Sequence, residues 1–149
     1  MNVHFICRGN ILRSIVAETY LKSLELKDVN VTSSGTNVDW EDEIEKGYFQ
    51  DTLRLLDSHN IKTYAKDIPK QLTQARVSSD DIIICMNQRV IDEANSIIAL
   101  PRNIINWNII DIGEGHRTVA SDKALYLEEI YNELTQKVDE LVVDYDLKQ

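Results

Sequence analysis

This 149-residue sequence predicts an α/β fold: a single domain over residues 1–149, with one doubly wound sheet of four parallel strands and helices on both faces. Two patterns carry the prediction. Short apolar runs alternate with stretches of helical periodicity along the whole chain. Residues 81–86 (DIIICM) are apolar almost without alternation, as suits a parallel strand covered on both faces. No repeat, proline-rich linker or low-complexity tract divides the chain, whose only prolines are Pro69 and Pro101.

The elements follow in order. Residues 3–6 are the first strand, and Gly9-Asn10 marks a turn after it. From Arg13 the pattern turns helical, with Val16, Tyr20 and Leu24 on one face and Ala17 and Leu21 beside them. Residues 29–33 form a second strand ending in Ser33-Ser34-Gly35-Thr36. A helix over about 44–58 is expected to bury Phe49, Leu53 and Leu56 and to stop at His59-Asn60. After the strand at 81–86, Val90, Ile91, Ala94, Ile97 and Ile98 make a helical stripe. Residues 104–109 read as the fourth strand. Leu127, Ile130, Leu134, Val138 and Leu141 then define a long last helix.

Composition narrows the function. The hydrophobic share of 43% and charged share of 28% are those of an ordinary globular protein. The net charge of −9 argues against non-specific nucleic-acid binding and against docking on anionic membranes. An anionic substrate would therefore need a strong local positive site. No basic segment followed by a long apolar run opens the chain, and no apolar run reaches the roughly 18–20 residues that span a bilayer. A cytoplasmic location without membrane insertion is expected, with Cys7 and Cys85 as reduced thiols.

In doubly wound sheets, ligands sit beyond the carboxyl ends of the strands at the topological switch point. The first strand–helix junction is therefore the place to look. It reads Cys7-Arg8-Gly9-Asn10-Ile11-Leu12-Arg13-Ser14, a cysteine and an arginine separated by five residues. A tight loop entering a helix turns several N–H groups inward, and the helix N-terminus adds partial positive charge. Arg13 can fork two hydrogen bonds onto phosphate oxygens. The same field favours the reactive thiolate of Cys7. Gly9 is expected to take a backbone angle that other residues resist. Residues 8–14 thus read as a phosphate cradle, with Arg8 adding positive charge.

The same residues resemble the low-molecular-weight protein-tyrosine phosphatases, whose loop runs C-x-G-N-I-C-R-S and continues P-M-A-E. Cys7, Gly9, Asn10, Ile11, Arg13, Ser14, Ala17 and Glu18 match it. Ser33-Ser34-Gly35-Thr36 is similar to the family's S-A-G-T, and Lys70-Gln71-Leu72-Thr73 and residues 81–86 match its middle section. Leu127-Glu128-Glu129-Ile130-Tyr131 resembles the start of its last helix. The resemblance implies a metal-independent phosphomonoesterase that needs no cofactor. Its substrate would be a phosphotyrosine protein or peptide, and inorganic phosphate its product. Cys7 would be the nucleophile and Arg13 would stabilise the transition state. Asn10, Ser14 and Ser33 would form a supporting network, and Trp40 the aromatic rim of the pocket.

The general acid follows from the same resemblance. The family places Asp-Pro after its last strand, where this chain has Asp111-Ile112. Asp111 is the expected acid and Asp122 the reserve. Other departures stand out. Leu12 replaces a second loop cysteine, Ile15-Val16 replaces Pro-Met, and Asp67 stands where the family has a histidine that supports the loop. Glu114, Gly115, His116 and Arg117 follow where tyrosines often form a pocket wall. Cys85 reads as a buried small hydrophobe, and His4, His59 and His116 show no metal-ligand spacing.

Three other functions share these features. Ile112 and Asp67 motivate a phosphopeptide-binding module with little catalysis. An arsenate reductase would need further cysteines beyond Cys85. A protein-arginine phosphatase is the third, but Ile11 stands where that branch has threonine.

Overall fold

The structure is a computed structural model and describes residues 1–78, 81–118 and 122–148. Four parallel strands form one sheet: β1 (Asn2–Cys7), β2 (Asn30–Gly35), β3 (Ile82–Cys85) and β4 (Ile105–Asn106), in the order β2-β1-β3-β4. Four helices connect or follow them: α1 (Arg13–Ser23), α2 (Glu43–Ser58), α3 (Gln88–Asn95) and α4 (Lys123–Asp144). The chain leaves β1 toward β2, then crosses back to lay β3 on the other side of β1. The switch point thus lies at the carboxyl end of β1, where the loop from Cys7 begins.

Alternation along the strands sorts the core into two layers. Val3, Phe5, Ile84 and Met86 point to the face covered by α1, α2 and α4, and pack with Ile15, Phe49, Leu56, Ile130 and Leu134. Ile6, Ile83 and Cys85 point to the other face, against Val90, Ile91 and Ala94 of α3. Full burial of each such side chain contributes about 1.5–3 kcal/mol, so the central strand is anchored from both sides. This anchoring makes the end of β1 a rigid platform. Within α2, Phe49 and Leu56 are buried as expected, whereas Leu53 is only half-buried and Leu55 takes its place in the core.

Two elements are shorter than the sequence predicts. The fourth strand pairs only over Ile105–Asn106 rather than 104–109. Asn106 Oδ1 accepts the Asn108 N–H at 2.8 Å, and Asn108 has φ of 55°, so an asparagine turn kinks the strand. Beyond the kink the chain meets the residue that follows β3, where Ile109 N–H donates to Met86 O at 2.7 Å. Helix α3 ends at Asn95, because Ala94 O accepts from both Ile97 N–H and Ile98 N–H in a closing turn. Ile98 still reaches the core, while Ile97 lies exposed.

Candidate active site

The loop between β1 and α1 curls around the sulfur of Cys7. Asn10 N–H points at Sγ from 3.2 Å, and Ser14 Oγ lies 2.9 Å from it. Helix α1 carries no side-chain cap and no acidic residue in its first turn, so its N-terminal field stays open to an anion. The unusual backbone angle falls on Asn10, with φ of 53°, and not on Gly9. Asparagine tolerates this region when its amide bonds locally. Here Asn10 Nδ2 donates to Ser14 Oγ at 2.7 Å and to Ser33 Oγ at 2.9 Å. Asn10, Ser14 and Ser33 are thus joined, all of them buried.

A lysine extends this network. Asn10 Oδ1 accepts from Lys70 N–H at 2.8 Å and from Lys66 Nζ at 3.2 Å. Lys66 Nζ also donates to Ser33 O at 2.8 Å and lies 3.5 Å from Glu18 Oε1. Burial holds the Lys66 ammonium below its ordinary pKa, and Glu18 opposes that shift. Glu18 itself is buried, accepts the Ser33 hydroxyl at 2.5 Å and pairs with Lys22 at 2.7 Å. The residue supporting Asn10 is therefore Lys66, not its exposed neighbour Asp67. In the sequence Glu18 already has Lys22 four residues on as a partner, so nothing local pointed to Lys66.

Gly35 closes the back of the cradle. A Cβ there would sit 2.6 Å from Arg8 O and 2.8 Å from Asn10 N, so only glycine lets β2 and the loop approach this closely. Arg8 pairs with Glu93 of α3 at 3.2 Å, which ties the loop's outer edge to the opposite layer. Leu12 is buried in the core and Ile11 half-buried.

Arg13 reaches from the first turn of α1 under the loop that carries Asp111. Its side chain is 3% exposed, with Nη1 donating to Ile109 O at 3.1 Å and Nη2 lying 3.4 Å from Asp111 Oδ2. Among the described residues its Nε has no partner, which leaves a donor for an anion. Asp111 is about one-third exposed. Its Oδ1 accepts Ile112 N–H at 2.8 Å, a bond that a proline at 112 could not make. Asp122 lies elsewhere, exposed at the start of α4.

A cleft of about 230 Å³ opens over the loop. Its floor includes Arg8, Gly9, Ile11 and Leu12. One wall is Glu45, Tyr48, Asp51 and Thr52 of α2, and the other is Asp111, Ile112 and Gly113. The aromatic on the wall is Tyr48. Trp40 does not line the cleft but packs edge-on against Phe49 at 5.3 Å. Glu45, Tyr48 and Thr52 recur at helical spacing on one side of α2, beside the buried Phe49, and that periodicity was the signal for this wall. Burial, and then Asp42, Asp111 and Asp39, raise the pKa of Glu45.

Cys85 is fully buried on the α3 side of the sheet, where burial pushes its thiol up to about 12. It is an inert core residue and no relay partner for Cys7. His4 lies between Thr32 Oγ1 and Ser34 Oγ, at 2.6 and 2.8 Å, and burial lowers its pKa to about 4. Among the described residues, no helix is long and apolar enough to cross a membrane.

Fold and site together define a small α/β protein with a cysteine-bearing loop at the switch point of a four-stranded parallel sheet. A family model described as low molecular weight phosphotyrosine protein phosphatase matches residues 2–146, and the chain belongs to that family of hydrolases. Comparison with curated proteins found no match. Among solved structures, a low molecular weight phosphotyrosine phosphatase from Vibrio cholerae O395 is similar, with TM-score 0.74 and 17% identity over 98% of this chain and 97% of that one. The Erwinia amylovora tyrosine phosphatase AmsI gives TM-score 0.66 and 21% identity, over 96% of this chain and 91% of that one. The arginine phosphatase YwlE gives TM-score 0.58 and 20% identity, over 93% and 96%.

Proposed function

We propose that the protein, a single domain over residues 1–149, hydrolyses phosphotyrosine in the cytoplasm through a cysteinyl-phosphate intermediate. Cys7 Sγ attacks phosphorus, an S–P bond forms and the bond to the phenolic oxygen breaks. The Asp111 carboxyl gives its proton to that oxygen. The loop amides and Arg13 hold the charge that develops on the three remaining oxygens. In the second step the Asp111 carboxylate takes a proton from water, which attacks phosphorus. The S–P bond breaks and inorganic phosphate leaves. One observation carries this reading: Cys7 Sγ faces a loop amide at 3.2 Å while the buried Arg13 bridges from the same loop to Asp111 at 3.4 Å.

Tyr48 supports an aromatic substrate, since its ring can flank a phenyl group along the cleft wall. The Glu45 carboxylate on that wall favours a second substrate, phosphoarginine, whose guanidinium it could pair with, whereas Asp51 is already held by Arg54 and Lys123. Against it stands Ile11, a branched aliphatic side chain in the floor of the same cleft. The test is turnover of matched phosphotyrosine and phosphoarginine peptides with chelator present. Faster turnover of the tyrosine peptide, abolished by Cys7→Ser, supports the first reading. Faster turnover of the arginine peptide supports the second. Tight binding of both with no turnover leaves only a binding module.

A further inference from the structure

The proposed reaction needs Asp111 held over the cradle, yet Ile112 gives its loop none of the stiffness of proline. Another residue supplies a clamp. The Arg117 side chain is 1% exposed although it carries a full charge. Its Nη1 donates to Ile110 O, the carbonyl immediately before Asp111. Its Nη2 pairs with Glu133 and lies 3.4 Å from Glu129, both on α4. Its backbone closes the same loop: Gly113 N–H donates to Arg117 O at 2.8 Å, and Arg117 N–H to Glu114 O at 2.9 Å. Tyr126 of α4 adds a hydroxyl donor to His116 O at 2.7 Å.

A guanidinium this buried is tolerated only when it is paired and hydrogen-bonded. Arg13 already holds Ile109 O, so two arginines hold the two successive carbonyls that lead into Asp111. One reaches from the cradle and the other is backed by α4. Arg117 lines no part of the cleft. We propose that Arg117 is a positioning residue for the general acid, clamping the Asp111 loop to α4 so that the carboxyl stays within reach of the leaving oxygen. The proposal rests on Asp111 being that acid.

Positioning of an acid and general structural support separate in their dependence on the leaving group. Protonation matters most when the leaving oxygen is strongly basic and little when it departs as a stable anion. The experiment measures kcat/KM on phenyl, p-nitrophenyl and dinitrophenyl phosphates for wild type, Arg117→Met, Arg117→Lys, Glu133→Gln and Asp111→Asn. Arg117→Met is expected to lose roughly 10²-fold on phenyl phosphate and only about threefold on dinitrophenyl phosphate. Arg117→Lys is expected to recover part of that loss, with inorganic phosphate inhibiting all variants about equally. An equal loss on all three esters, or no loss, overturns the proposal. Should Arg117→Met not fold, Glu133→Gln carries the same test, and a flat series there counts against the clamp. A steeper series for Asp111→Asn alone removes the clamp and keeps the acid. A flat series for Asp111→Asn removes both.

Discussion

Replacing Gly35 with alanine puts a methyl group where the backbone of the proposed phosphate cradle already is. The new Cβ would lie 2.6 Å from Arg8 O, 2.8 Å from Asn10 N and 3.0 Å from Gly9 C. Ordinary contact begins at 3.4 Å, so strand and loop must separate by 3.4 − 2.6 = 0.8 Å at the tightest point. Neither side gives easily. Gly35 N–H donates to Lys70 O at 2.9 Å and Gly35 O accepts Leu72 N–H at 2.8 Å, which fixes the strand. Thr36 N–H to Cys7 O and Asn37 N–H to Arg8 O, at 3.0 and 2.8 Å, fix the loop. Overpacking of this kind costs about 1–3 kcal/mol. All three struck atoms belong to the cradle, and a displacement near 1 Å at a reacting centre can cost about 10²-fold in rate. Gly35→Ala is therefore expected to unfold at lower urea, by about 1–3 kcal/mol, and to lose roughly 10²-fold in kcat/KM on p-nitrophenyl phosphate. Stability and rate both close to wild type would refute the close approach and the reasoning built on it.

Three further outcomes follow from the same contacts. His4 has a pKa near 4 in the fold against 6.5 as a free side chain, so the unfolded chain binds more protons between these values and stability falls as pH drops through that window. A shift of 6.5 − 4 = 2.5 units corresponds to about 3 kcal/mol. Urea unfolding at pH 7 and pH 4 should show wild type losing about that much more than His4→Gln, and equal losses would contradict it. Lys66→Met removes a buried donor from Asn10 and a counter-charge from Glu18. It is expected to cost about 1–3 kcal/mol and to slow turnover, with Glu18→Gln/Lys66→Met recovering most of the stability. Finally, Tyr48→Ala is expected to raise KM for phosphotyrosine peptides several-fold, about 1 kcal/mol of stacking, with little change in kcat. Trp40→Ala should instead lower stability through its lost contact with Phe49. Peptide kinetics and thermal melts on the two variants check the pair.

The central sheet and the junction after β1 were legible because both are local. Apolar strands declare themselves by composition, and Cys7 to Arg13 is one short stretch that meets its own helix. What depended on distant partners was not. Gly9 and Asn10 are adjacent turn formers, and only the contacts of Asn10 with Ser14 and Ser33 decide which takes the positive φ. Asp67 and Lys66 are adjacent too, and it is Lys66 that meets Glu18, a residue distant in sequence. Trp40 and Tyr48 compete for the rim, and the packing of Trp40 on Phe49 settles it. The fourth strand looked longer because apolar residues continue past Asn108, whose turn periodicity does not register. Arg117 read as a loop residue, since nothing nearby announces that α4 brings Glu129 and Glu133 to meet it.

The central claim is that Cys7 carries the phosphoryl group. It is tested most directly by acid-quenching the enzyme during turnover of p-nitrophenyl phosphate, with chelator present, and weighing its peptides by mass spectrometry. The account predicts one phosphoryl group on the peptide holding Cys7, none on the peptide holding Cys85, and no turnover by Cys7→Ala. Sustained turnover by Cys7→Ala, or turnover by wild type with the phosphoryl group on another residue, would contradict it.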